Sequence, residues 1–161
     1  METLVLYYSL TGRTHYEAKC IAEQVGGELY EVREQKHRSL ASAYLFGPAQ
    51  AKRRRTVFIE PMAVAPADYD RVIILAPVWG GFPAPAFNTA VREIPAHKEV
   101  EVVLTSDSGK MKDEASLRHY LEARGLIVKS IRVIKTVDLM KRERRHRKRM
   151  LKEELERIDE K

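Results

Sequence analysis

The chain holds one cysteine, Cys20, so it can close no disulfide within itself and fits a reducing compartment such as the cytoplasm. Its position beside an apolar helical stripe gives that thiol a packing role. No apolar run approaches the roughly 20 residues that a membrane-spanning helix needs. The N-terminus shows no basic leader or cleavage site and runs straight into Leu4-Val5-Leu6. His15, His37, His97, His119 and His146 keep no ligand spacing with cysteine or carboxylates, so no metal is expected. Neither GxxxxGK[ST] nor GxGxxG occurs, which removes the triphosphate loop and the dinucleotide fingerprint. Repeats and low-complexity linkers are missing too, and 161 residues suit a single domain, 1–161.

Excess charge is scarce outside one place. The chain has 29 basic and 23 acidic residues, and Lys141 to Arg149 supplies the entire net +6. A smaller basic run stands at Lys52-Arg53-Arg54-Arg55.

What is present begins with Leu4 to Thr14, LVLYYSLTGRT. Large apolar and aromatic residues suit a strand buried on both faces, and they break into the turn Ser9-Leu10-Thr11-Gly12-Arg13-Thr14. Ala18, Ile21, Ala22 and Val25 then mark one face of a helix, stopped by Gly26-Gly27. A hydroxyl-rich turn opening a helix offers unpaired N–H groups and a positive dipole end to a phosphate. The same turn also reads as an ordinary connection capped by Thr11, and these residues alone do not choose.

Glu28 to Val32 is a second short strand. Residues 34–70 are poorly patterned, with a helical piece over Ser39 to Phe46 that Gly47-Pro48 is expected to break. Val72 to Ala76 reads as a central strand ending in Pro77-Val78-Trp79-Gly80-Gly81-Phe82-Pro83. A helix with Phe87, Ala90, Val91 and Ile94 follows. The fourth strand, Val100 to Leu104, runs into Thr105-Ser106-Asp107-Ser108-Gly109-Lys110. A helix using Leu117, Tyr120 and Leu121 precedes a fifth strand, Leu126 to Ile134, whose alternation suggests a sheet edge. A last helix covers about 138–161. Strands alternating with helices imply a parallel sheet, α/β and doubly wound, with ligand loops on one rim.

Three of these loops resemble those of the flavodoxin family. Ser9 to Thr14 is similar to its [ST]-x-T-G-x-T phosphate loop. Pro77-Val78-Trp79-Gly80-Gly81 with Pro83-Ala84-Pro85 resembles its second loop, and Thr105-Ser106-Asp107-Ser108-Gly109 stands where many members have Thr-Ser-Gly-Gly. The resemblance covers about residues 2–135 and implies a five-stranded flavodoxin-like sheet of order 2-1-3-4-5 with noncovalent FMN. It implies a phosphate held by Ser9, Leu10, Thr11, Gly12, Arg13 and Thr14, and a ring held by Pro77, Val78, Trp79, Gly80, Gly81 and Phe82 with Thr105, Ser106, Asp107 and Gly109. Trp79 stacks on the flavin or anchors its loop. Asp107-Ser108 replaces paired glycines, and the carboxylate points either at the ring or at solvent. No residue is singled out as catalytic.

The expected function is to carry electrons to a redox partner protein or to reduce a small acceptor such as a quinone. The other reading is a scaffold of the same fold without flavin, binding an anionic partner through its basic tail. For Lys141 to Arg149 the readings are a solvated helix, an acidic redox partner, nucleic acid or an anionic membrane. Nucleic acid is the least supported, because no aromatic interleaves the charges. A membrane would need large apolar residues opposite the basic face, and this segment has none.

Overall fold

Leu4-Val5-Leu6, Val72 to Ala76 and Val102 to Leu104 are buried in the computed structural model, which describes residues 1–159. Unbroken apolar runs suit strands covered on both sides, because alternating side chains then all meet protein. They lie in β1 (Thr3–Tyr7), β3 (Arg71–Trp79) and β5 (Glu99–Ser106), flanked by β2 (Glu28–Glu31) and β6 (Ile127–Lys135). The order is β2-β1-β3-β5-β6, and each neighbouring pair is parallel. The expected order 2-1-3-4-5 is thus present. Its numbering shifts because a two-residue strand, β4 (Phe82–Pro83), folds back antiparallel on the end of β3. β6, paired only with β5, is the expected edge.

Alternation along the strands divides the core. Val5, Ile73, Leu75 and Val103 face α1 (Arg13–Val25) through Ala18, Ile21 and Ala22. On the other side Leu4, Leu6, Ile74, Val102 and Leu104 share a cluster with Phe87 and Val91 of α3 (Pro85–Arg92) and Leu117 and Leu121 of α4 (Glu114–Ala123). Fully burying such a leucine stabilises the fold by about 1.5–3 kcal/mol. The last helix, α5 (Thr136–Asp159), buries Thr136 and Leu139 and is exposed from Arg144 to Ile158. The final two residues of the expected 138–161 helix lie outside the described residues.

The weakly patterned segment departs most from expectation. Gly47-Pro48 does not end the helix: α2 runs from Leu40 to Lys52 with Pro48 inside it. Ser39 caps its start, its hydroxyl accepting from the Ser42 N–H at 3.1 Å. Ala43, Gly47 and Ala51 face inward, whereas Leu40, Tyr44, Leu45 and Phe46 are exposed. A face of such small residues allows close approach: a Cβ on Gly47 would stand 2.7 Å from the Trp79 ring. That tertiary contact outweighs the proline. Thr56 to Ile59 forms no strand beyond a single antiparallel bridge between Ile59 and Glu34.

Candidate functional site

The sheet reverses direction between β1 and β3, since the chain leaves β1 for β2 on one side and returns through β3 on the other. Loops leaving neighbouring C-terminal strand ends diverge at such a point and open a crevice. A cavity of about 380 Å³ lies there, within the size range of cofactor sites.

Its floor is the turn after β1. Ser9 Oγ accepts from the Gly12 N–H at 3.0 Å, and Gly12, at φ 92°, leads into α1. The cap by Thr11, the alternative reading of the turn, does not form. No side chain caps α1, so the N–H groups of its first turn stay free for an incoming anion. Thr11 and Arg13 are exposed at the cavity, while Thr14 is buried and joins its hydroxyl to that of Thr105 at 2.8 Å.

The second wall is a hairpin where an open loop was expected. β3 continues through Pro77 and Val78 to Trp79 and returns as β4, so Trp79 faces Phe82 across the ladder. Gly80 and Gly81 make the two-residue turn at φ 61° and 98°, the positive pair such a tight hairpin requires. Trp79 is fixed from several sides. It meets Tyr8 edge to face at 5.9 Å, and the Arg38 guanidinium sits 5.4 Å from its ring centre. Gly47 presses on the same ring system. Trp79 is therefore a packed anchor that also lines the cavity.

Behind it runs a buried polar chain. The Tyr8 hydroxyl donates to Glu34 at 2.7 Å, and Arg38 donates to Glu34 at 2.9 Å and to Gln50 at 3.0 Å. Burial, with the bond to Glu34, holds the Tyr8 phenol well above its ordinary pKa.

The third loop closes on itself. Ser106 Oγ donates to the Lys110 carbonyl at 2.8 Å and meets Ser108 Oγ at 3.1 Å. Thr105 and Asp107 line the cavity. The Asp107 carboxylate is exposed and pairs with Arg13 at 3.5 Å, joining the first and third loops at the surface.

Of the sequence-derived set, the cavity gathers Leu10, Thr11, Arg13, Thr14, Pro77, Val78, Trp79, Gly80, Thr105 and Asp107. Ser9, Gly12, Gly81, Phe82, Ser106 and Gly109 are not part of that lining. Sequence reasoning missed Leu40, Ala43, Tyr44 and Pro48 of α2, and Thr136 at the start of α5. The signal for Tyr44 was an aromatic residue in a helix whose other face is alanine and glycine. Among the described residues no cluster of three metal-binding side chains occurs, and no helix is long and apolar enough to cross a membrane.

No family model and no curated protein matches the chain. Solved structures do. A flavoprotein from Lactobacillus acidophilus NCFM, crystallised in complex with FMN, is 26% identical with a TM-score of 0.67, over 82% of this chain and 92% of that one. The apo-form of the flavoprotein from the same organism is 25% identical over 85% and 95%, with a TM-score of 0.63. A protein from Bacteroides uniformis ATCC 8492, provisionally named a flavoprotein, is 26% identical over 83% and 90%, with a TM-score of 0.72. With the strand order above, the fold is flavodoxin-like.

Proposed function

We propose that this chain binds FMN in the β1/β3 crevice and uses it to carry electrons or to reduce a small acceptor such as a quinone. The observation that carries the reading is convergence: an uncapped helix start, a tryptophan hairpin and the β5 loop line one cavity at the switch point. Its support includes the FMN complex of the Lactobacillus acidophilus neighbour. That FMN sits at this reversal in flavodoxin itself is a known property of the fold.

The residues fit the group. The free N–H groups at the start of α1 and the Thr11 hydroxyl suit a phosphate dianion, and Arg13 adds charge. Thr14 is held by Thr105, which fixes the rotamer of the one buried hydroxyl at the turn. Trp79 and Tyr44 are the aromatic walls for a flat ring, Trp79 rigid and Tyr44 84% exposed. The bound flavin supplies one- and two-electron transfer; the chain orients it and sets its surroundings. Asp107 also lines the cavity, and its exposed carboxylate has the Arg13 cation at 3.5 Å beside it.

The flavin-free scaffold has one observation in its favour, the prior packing of Trp79 by Gly47 and Arg38. Titrating apoprotein with FMN separates the two. Flavin binding gives one FMN per chain at a Kd of roughly 10 μM or tighter, with quenched Trp79 emission. A protein that retains no flavin at that concentration is the scaffold.

A further inference from the structure

Leu139 and Arg142 set the roll of α5. Leu139 is buried, and Arg142 reaches the nearly buried Glu17 of α1 at 2.5 Å. With Leu139 at 0° and about 100° per residue, one arc of α5 runs from about 100° to about 240°, opposite Leu139 and ending about 60° short of Arg142. Within it fall Lys141, Arg144, Arg145, Lys148 and Lys152, and between and beyond them Val137, Met140, Leu151, Leu155 and Ile158. All of these are exposed. The one acidic position in the arc is Asp159, at the last residue of the helix; Asp138 and Glu156 stand just past its edge, and Glu143, Glu153 and Glu154 project from the other half.

The ion pairs of α5 use Arg142, Arg147, Arg149 and Lys152. Lys141, Arg144, Arg145 and Lys148, at i, i+3, i+4 and i+7, have no acidic partner among the described residues. The aliphatic residues missing from Lys141 to Arg149 are thus supplied from either end of it, on the same side of the helix. Their exposure is substantial: Leu151 54%, Leu155 62% and Ile158 63%.

We propose that this face of α5 lies on an anionic phospholipid surface, with its basic side chains at the headgroups and its aliphatic ones at the acyl boundary. Charge complementarity chooses an anionic occupant, and the interleaved aliphatic residues choose lipid among anions. Long basic side chains keep their ends in water while their stems cover apolar surface, so both kinds share one face. Duplex nucleic acid would use the charges and leave Leu151, Leu155 and Ile158 in water, and α5 has no aromatic residue for stacking on bases. A simply solvated helix has no use for the aliphatic residues. The surface adjoins the crevice at its root, since Thr136 lines the cavity, but the inference does not depend on flavin binding.

Sedimentation of the full chain with vesicles tests it. Vesicles of phosphatidylcholine containing phosphatidylglycerol bind the chain, and vesicles of phosphatidylcholine alone do not. Binding weakens more than tenfold as the Debye length falls from about 10 Å at 0.1 M salt to about 3 Å at 1 M. A variant combining Lys141→Gln, Arg144→Gln, Arg145→Gln and Lys148→Gln loses more than tenfold in partitioning, since each basic residue near such a surface is worth about fivefold. A second variant, Leu151→Ser, Leu155→Ser and Ile158→Ser, keeps the salt-sensitive part and loses the binding that survives high salt. These side chains are exposed, so both variants keep native circular dichroism and Trp79 emission. Equal binding to neutral vesicles, or none to anionic ones, overturns the inference. So does preference for duplex DNA with a log–log salt slope near −0.9 per phosphate. Self-association abolished by the serine variant, without vesicle binding, overturns it in favour of a second copy.

Discussion

Thr14 of α1 and Thr105 of β5 bring their hydroxyls to 2.8 Å, although 91 positions separate them in the chain. Both are buried, so each supplies the other's partner where water does not reach. The pair stitches the turn after β1 to the third loop at the cavity.

Thr14→Val strands the Thr105 hydroxyl and costs about 1–3 kcal/mol in denaturant unfolding. Adding Thr105→Val recovers part of that loss, because two apolar groups of the same shape leave nothing unpaired. FMN affinity falls in Thr14→Val and does not recover in the double variant, which separates the hydroxyl's ligand role from its structural one. Additive costs in the cycle would show that the two hydroxyls do not interact.

Gly47→Ala destabilises, although alanine is the better helix former by about 1 kcal/mol. The new Cβ would stand 2.7 Å from a ring already held by Tyr8 and Arg38, and overpacking of this kind costs about 1–3 kcal/mol. Trp79 emission shifts with it. A more stable variant with unchanged emission would refute the contact.

Tyr8 makes stability fall at high pH. Its folded pKa is raised above the unfolded value by burial first and then by the bond to Glu34. A group raised in this way contributes fully below its unfolded pKa, near 10, and loses that contribution as pH climbs toward the folded value. Tyr8→Phe gives up a hydrogen bond to a carboxylate, about 1.5–3 kcal/mol, at neutral pH and flattens the alkaline decline. Urea midpoints from pH 8 to 11 check both signs.

Arg142→Ala costs about 1–3 kcal/mol, since Glu17 is left nearly buried without its cation, although Arg142 itself is 41% exposed and partly screened. Lys148→Ala, on the exposed face of the same helix, stays within about 0.5 kcal/mol. Equal effects in chemical denaturation would mean that the Glu17 pair does not hold α5 in place.

The sheet was legible because its central strands are unbroken apolar runs, and only burial on both faces makes such runs stable. The turn into α1 was legible from Thr11-Gly12 between a strand and a helical stripe. α2 was not, because Gly47-Pro48 reads locally as a stop and the contact that overrides it comes from Trp79, far along the chain. The same helix hid Tyr44: in the sequence pattern Leu40, Ala43 and Tyr44 read as one stripe, yet only Ala43 is buried. In the third loop Ser106 reads as a ligand hydroxyl; its bond to the Lys110 carbonyl, which closes the loop on itself, carried no signal in the sequence. The sequence left Asp107 with two directions; its carboxylate is exposed and pairs with Arg13 where both residues line the cavity.

The inward face of α2 is alanine and glycine, while Leu40 and Tyr44 stand outside it at the mouth of the cavity. Ala43 both seats this helix and lines the cavity, but Leu40 and Tyr44 line it without helping to seat the helix. Exchanging Leu40 or Tyr44 removes almost no buried contact, so the fold tolerates wide change there. The mouth of the cavity can therefore be altered at Leu40 and Tyr44 without the chain first acquiring spare stability.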